Sequence, residues 1–327
     1  MSVVKKARTT GHEGAVASTT TGPATSVQLS GHGGEVLGVQ FDGSGMHLAT
    51  CSSDRTVFLW RVYGENENYG VLRGHKGAVL DIRWARDGRQ LFSASSDLTV
   101  GTWDVETGAR VRKHEGHEDM VNCVDVVRRG TELVVSGSDD GSVGVWDPRD
   151  KAAVGCFTTG YPVVGVAVDS VGATVYSSGV DATIKAWDPR QPDSPVYELP
   201  GHGESTVTSL AVASDDQTLL SHGMDGCVRT WDVRPFAAGP QRALKVYDGA
   251  PNGVEQNVLR ACWSPDGTRV AAGSSDRTAV VWDTFSRKIT HKLPGHAGAV
   301  NDVHFSPTDA AVFASASSDG SVILSSL

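Results

Sequence analysis

Serine, histidine and aspartate recur together along this 327-residue chain. In one setting those three side chains make a hydrolase, where the histidine takes the serine proton and the carboxylate orients the histidine. Gly-His pairs place His32, His75, His117, His202 and His296, each 22 or 23 residues ahead of an aspartate: Asp54, Asp97, Asp140, Asp225 and Asp319. A hydroxyl residue stands four positions before each of these aspartates, at Thr50, Ser93, Ser136, Ser221 and Ser315. Six positions after the first four come Trp60, Trp103, Trp146 and Trp231, and the same step links Asp181 to Trp187 and Asp276 to Trp282. A nucleophile needs one exposed serine beside a base and an oxyanion hole. A set that returns about every 43 residues is a structural repeat.

The elements that must position these residues are short strands. Stretches such as TVFLW at 56–60 and TVGTW at 99–103 alternate and are rich in β-branched and aromatic residues, and Asp87-Gly88, Asp140-Gly141 and Asp266-Gly267 mark turns. Seven copies account for nearly everything after residue 25, and a period of 40 to 45 residues is the mark of a propeller with four strands per blade. The 38 glycines, roughly 12% of the chain against about 7% usually, fit a turn-rich all-β architecture and exclude a coiled coil. The Gly-His pairs, the turn aspartates and the closing Trp-Asp pairs (Trp103-Asp104, Trp146-Asp147, Trp187-Asp188, Trp231-Asp232, Trp282-Asp283) resemble the WD-repeat family. The resemblance implies an all-β, seven-bladed WD-repeat β-propeller. The last copy stops at Leu327 after its third strand, so residues 26–29, which resemble the other outer strands, are expected to complete the last blade and close the ring.

The family also implies what the repeated polar residues do. A buried tryptophan N–H needs an acceptor; the hydroxyl takes that bond and donates to the histidine, which donates to the aspartate. Four copies carry complete sets: His32, Thr50, Asp54 and Trp60; His75, Ser93, Asp97 and Trp103; His117, Ser136, Asp140 and Trp146; His202, Ser221, Asp225 and Trp231. The fourth copy lacks the Gly-His, the sixth has Ala272 in place of the hydroxyl, and the seventh has Ser325 where the tryptophan belongs, so these must satisfy their polar groups by other means.

Function is expected where the repeat is broken. Residues 63–69 (YGENENY) lengthen the first blade's outer connection, with Tyr63 and Tyr69 at its ends; residues 234–242 (RPFAAGPQR) do so in the fifth blade and offer Arg234, Pro235 and Phe236; and residues 248–257, with Asn252, replace a Gly-His loop. These six residues are the candidate partner-binding set. A net charge of −9 disfavours non-specific contact with phosphate, no stretch of 18 apolar residues occurs, and five scattered cysteines suggest neither a disulfide framework nor a zinc site. Residues 1–25, Ser/Thr/Gly-rich with a short basic group at Lys5, Lys6 and Arg8, are expected to be a disordered tail, with 26–327 a single intracellular propeller domain.

The stretches WRVYGENENYGVLRGHKGAV (60–79), WDVRPFA (231–237), RACWSPDGTRVAAGSSDRTAVVWDT (260–284) and KLPGHAGAVNDVHFSP (292–307) resemble the WD-repeat subunits of the spliceosomal U5 small nuclear ribonucleoprotein. That resemblance implies a nuclear, non-enzymatic scaffold in pre-mRNA splicing, without cofactor or small-molecule substrate. It would be a monomer within a hetero-assembly, binding the particle's large scaffold protein and touching RNA secondarily, if at all. The rival is a substrate receptor of a cullin-type ubiquitin ligase, because Trp146-Asp147-Pro148-Arg149, Trp187-Asp188-Pro189-Arg190 and Trp231-Asp232-Val233-Arg234 match the WDxR pattern by which such receptors dock their adaptor.

Overall fold

The computed structural model describes residues 26–235, 242–254 and 257–327. Its 28 strands sort into seven four-stranded antiparallel sheets. Six sheets take four consecutive strands each, over residues 36–73, 79–115, 121–158, 163–199, 207–247 and 261–293. The seventh joins three strands from 300–326 to the strand Val27–Ser30, which pairs antiparallel with Ser321–Ser326 in the register Val27 to Leu324 and Ser30 to Ser321. The chain is therefore a seven-bladed β-propeller whose N-terminal strand completes the last blade. The expected tail at 1–25 lies outside the described residues.

A four-stranded sheet has two faces and cannot bury both alone, so each blade stacks on its neighbours. The apolar core accordingly divides into seven layers, one at every blade-to-blade interface. The layer holding Leu29, Val36, Phe41, Trp60, Ala314 and Leu324 joins the seventh blade to the first and closes the ring. Fully burying a side chain of this size contributes about 1.5–3 kcal/mol. Antiparallel order also fixes the two faces of the disc. Connections between innermost and second strands, and between third and outer strands, emerge on one face, here called lower; second-to-third turns and blade-to-blade crossovers emerge on the upper face.

The innermost strands line the central channel, and six of them carry a bulge near the start, between Val36 and Gly38, Val79 and Asp81, Val121 and Cys123, Val163 and Gly165, Val207 and Ser209, and Val300 and Asp302. A bulge re-aims the residue it displaces. Asp81, Cys123, Gly165, Ser209 and Asp302 thereby form a ring at the channel, which Arg260 joins from just ahead of the strand Ala261–Trp263.

Candidate functional site

The four expected hydroxyl-histidine sets come together in the structure. In the second blade Trp103 Nε1 donates to Ser93 Oγ at 2.8 Å, Ser93 Oγ lies 2.7 Å from His75 Nε2, and His75 Nδ1 lies 2.9 Å from Asp97 Oδ2. The direction of the chain follows from its ends. Indole can only donate, so the serine oxygen accepts and its proton goes to Nε2; the histidine then keeps its proton on Nδ1 and gives it to the carboxylate. The corresponding distances are 3.0, 2.8 and 3.0 Å through Trp60, Thr50, His32 and Asp54; 2.7, 2.7 and 3.1 Å through Trp146, Ser136, His117 and Asp140; and 2.8, 2.8 and 2.9 Å through Trp231, Ser221, His202 and Asp225. Ser93 is fully buried, so its oxygen meets other protein atoms and no solvent.

Each turn aspartate is the terminus of its chain and the knot of its turn. Burial alone would raise the Asp97 carboxyl, but the bonds from His75, the Thr99 hydroxyl and the Lys76 N–H carry it well below the usual range. Asp54 is held down in the same way, against burial, by His32, Thr56 and the Gly33 N–H. Burial pushes the His117 imidazole below its ordinary value, in keeping with a neutral ring.

The departing blades solve the same problem differently. In the fourth, Trp187 still donates to Ser177 at 2.8 Å, while Asp181 pairs with Lys185 at 2.7 Å instead of a histidine. In the sixth, Trp282 donates to the backbone carbonyl of Asp248 at 2.9 Å. The crossover beginning at Asp248 thus supplies the acceptor that Ala272 cannot. In the seventh, His296 bonds Ser315 at 2.8 Å with no indole to serve.

The candidate partner-binding residues fall on both faces. Tyr63 is exposed on the lower face, whereas Tyr69 lies in the outer strand Asn68–Arg73, half-buried, its ring edge-on to His47 at 5.4 Å. Arg234 and Pro235 are on the lower face at the fifth blade; Phe236 falls outside the described residues. Asn252 is on the upper face with both ends of its amide engaged, Nδ2 donating to the Asn257 carbonyl at 3.0 Å and Oδ1 accepting from Ser275 at 3.2 Å.

Sequence spacing does not reveal the charged centre of the channel. Arg260 of the sixth blade reaches across to the second, where Nη1 meets Asp81 Oδ1 at 2.9 Å and Nη2 the Leu80 carbonyl at 2.8 Å, and it also lies 3.7 Å from Asp302 of the seventh. Gly38 makes room for it: a Cβ there would stand 3.2 Å from Arg260 Nη1 and 2.8 Å from Cys51 Sγ. The carboxylates do a second job. Asp81 accepts the Val124 N–H at 3.0 Å, Asp125 the Val168 N–H at 2.9 Å and Asp302 the Val39 N–H at 2.9 Å, each from the next blade round. These bonds satisfy strand-edge groups that face the channel. Burial raises the Asp302 carboxyl to about 6 despite the opposing pull of Arg260. Burial likewise pushes the thiols of Cys51, Cys123 and Cys262 well above their ordinary range, so none is a thiolate at neutral pH.

A model of the WD domain, G-beta repeat, matches the chain at residues 23–61, 66–104, 108–147, 193–232, 242–283 and 287–324. The human U5 small nuclear ribonucleoprotein 40 kDa protein is 52% identical over 291 residues, covering 89% of this chain and 80% of that protein. The chain belongs to the WD-repeat family of that U5 protein. Members of the family similar to it include pre-mRNA-splicing factor cwf17 of Schizosaccharomyces pombe, 41% identical over 92% of this chain and 87% of that protein. The Dictyostelium discoideum U5 small nuclear ribonucleoprotein 40 kDa protein is 40% identical over 91% and 83%. The matched WD-repeat stretches pass over residues 148–192, where the Gly-His is missing, yet the strands Val163–Val168, Val175–Gly179 and Ile184–Trp187 form there in regular order. Two of the three WDxR arginines fold back on their own aspartates: Arg149 Nε and Nη2 bond Asp147 at 2.9 and 2.7 Å, and Arg234 Nε bonds Asp232 at 2.9 Å.

Proposed function

We propose that this chain is a non-catalytic interaction scaffold of the U5 small nuclear ribonucleoprotein, acting in pre-mRNA splicing in the nucleus. The observation that carries this reading is the 52% identity over 89% of the chain to a protein named for that particle. The physical logic agrees. Seven blades locked by interblade cores and buried hydrogen bonds make a preorganised disc, which loses little conformational entropy when it docks. Its partners on this reading are the particle's large scaffold protein and other protein subunits, met first through the lower-face residues Tyr63, Arg234 and Pro235, with Phe236 next in the sequence. RNA contact is secondary, since the balance of charge is −9.

The test is affinity purification of the tagged chain from nuclear extract, with the bound proteins identified and the bound RNA sequenced. Spliceosomal proteins together with U5 RNA are expected. Recovery of an adaptor with a cullin in their place overturns the reading in favour of the ligase receptor. Replacing Arg234, Pro235 and Phe236 together by alanine is expected to lower recovery of the large scaffold protein at unchanged thermal stability; unchanged recovery removes that loop from the contact.

A further inference from the structure

The channel opens on the lower face as a cavity of about 410 Å³. The ring that includes Arg260, Asp81 and Asp302 forms its floor, and the ends of the innermost strands form its wall. The wall is two-sided. On the second and third blades it presents Arg83, Arg86 and Arg128; on the fifth to seventh it presents Ala211, Trp263, Pro265 and Pro307, with Leu210 and Val212 buried behind them.

Four carboxylates also line this space, and each is already engaged. Asp42 accepts from Ser44 and from the backbone and ring of His47, at 2.6, 3.0 and 3.1 Å. Asp81, Asp125 and Asp302 hold the N–H groups of the next blades and the Arg83 and Arg260 guanidiniums. The donors are less fully used. Among the described residues Arg128 makes no hydrogen bond or ion pair, and Arg86 makes a single side-chain bond, to the Gly130 carbonyl at 3.4 Å. Arg83 is held by Nε and Nη1 on Asp125 and Asp81 at 3.3 and 3.2 Å, which leaves Nη2 over. Across the mouth, His304 Nδ1 accepts from the Phe41 N–H at 3.4 Å, so its remaining ring nitrogen carries the proton and is a donor as well. Burial, and after it the nearby charges of Arg83 and Arg128, hold that imidazole down at about 3, in keeping with a neutral ring.

From this geometry we infer that the lower mouth of the channel is a docking pocket for an acidic-apolar peptide segment of a partner protein, one carboxylate side chain on Arg86, Arg128 and the free edge of Arg83, and a neighbouring aliphatic or aromatic side chain against the wall formed by Trp263, Pro265 and Pro307. The unspent hydrogen-bonding capacity of Arg83, Arg86, Arg128 and His304 is donor, and guanidinium forks suit carboxylates in paired geometry. The apolar half of the wall argues against RNA, whose backbone would set phosphates against Pro265 and Pro307. Of the two tryptophans at the mouth Trp84 is buried, and the indole N–H groups of Trp84 and Trp263 are spent on the Gln40 and Ala211 carbonyls at 3.1 Å, which leaves neither a donor for a base edge. The inference rests on the scaffold reading only in taking the partner to be a protein; it concerns a different part of the lower face from the long loops.

The experiment is selection of a random 12-residue peptide library on the full chain, followed by binding of the enriched, fluorescein-labelled peptides by anisotropy. Enrichment of sequences with Asp or Glu next to Leu, Ile or Phe is expected, with affinity falling at least tenfold on Arg86→Glu/Arg128→Glu. The milder Arg86→Gln/Arg128→Gln pair, which keeps the polar contacts and removes the charge, is expected to fall between. A thermal midpoint within a few degrees of the parent shows that both pairs fold. No enrichment, enrichment without acidic residues, or equal binding to the variants overturns the inference. A labelled 12-nucleotide oligouridine is the counter-probe: binding that the same variants abolish would make the mouth an RNA contact instead. None of these outcomes bears on recovery of the U5 particle from extract, so failure here and failure of the proposed function are read separately.

Discussion

The second and sixth blades share a sheet topology and a tryptophan at the same place, yet hold that tryptophan by opposite means. In the second, an entirely side-chain route runs from Trp103 through Ser93 and His75 to Asp97. In the sixth, the route is one bond to the Asp248 carbonyl, and the crossover that supplies it is pinned by Ser274 and Ser275 to the Pro251 carbonyl at 3.1 Å each. The requirement common to both is an acceptor for a buried indole N–H; the Ser-His-Asp chain is one way to meet it. The irregular loop of the sixth blade is therefore first a structural element. What that blade lacks in local network it supplies to the centre, since Arg260 bonds the second blade's Asp81 across the channel.

The largest expected effect comes from cutting that link. Arg260→Met keeps the aliphatic stem but leaves Asp81 and Asp302 buried without their shared cation, and removing one partner of a buried pair costs about 3–5 kcal/mol. Urea unfolding followed by tryptophan fluorescence measures this. A loss under about 1 kcal/mol would mean that the two carboxylates are stabilised well enough by their backbone donors and, for Asp81, by Arg83 at 3.2 Å, and that Arg260 is no strut.

Next comes the network itself. Ser93→Ala strands the Trp103 N–H and deprives His75 Nε2 of its donor, at roughly 2–3 kcal/mol in all. The reciprocal change, Ala272→Ser in the sixth blade, installs the family hydroxyl where the indole is already served and the site is fully buried. It is expected to cost about 1 kcal/mol through overpacking rather than to stabilise. If Ala272→Ser stabilised the chain, the carbonyl of Asp248 would be the poorer acceptor and the comparison between the blades would fail.

These two regions also mark how far the sequence alone reaches. Periodicity and register expose the seven blades and the closing strand, because every copy obeys the same alternation and the missing outer strand is counted by its absence from the last copy. The Ser93–His75 contact is legible in the same way, since polar residues that keep one offset in blade after blade must fall at the same place in each sheet and meet there. Asp248 is not, because a backbone carbonyl leaves no trace in side-chain identity. The Arg260–Asp81 pair is hidden by a different cause. The ring position it occupies reads Gly38, Asp81, Cys123, Gly165, Ser209, Arg260 and Asp302 around the blades, so the repeat that reveals everything else is silent there. Aligning the innermost strands so that Arg260 stands opposite Asp81 and Asp302 puts opposite charges at one level of one channel, which is the signal that spacing between motifs omits.

The smallest expected effect tests whether the two blades are alike where their networks play no part. After each turn aspartate the chain passes through a left-handed residue: Gly141, Gly226 and Gly320 in the third, fifth and seventh blades, but Leu98 at φ 70° in the second and Arg277 at φ 70° in the sixth. A side chain there costs about 1–2 kcal/mol of steric strain. Glycine removes that strain but gives back about 0.5–1 kcal/mol through the freedom it adds to the unfolded chain. Leu98→Gly and Arg277→Gly are therefore each expected to stabilise by about 0.5 kcal/mol, read as a shift of the urea midpoint. Equal gains would make the turn an autonomous unit, indifferent to whether a histidine or a lysine holds its aspartate. In the sixth blade that partner is Lys292, 2.6 Å from Asp276. A gain for Arg277→Gly with a loss for Leu98→Gly would show instead that the Leu98 side chain, although 39% exposed, packs on the second blade strongly enough to offset its strain, and that the His75 network and its turn are one cooperative piece.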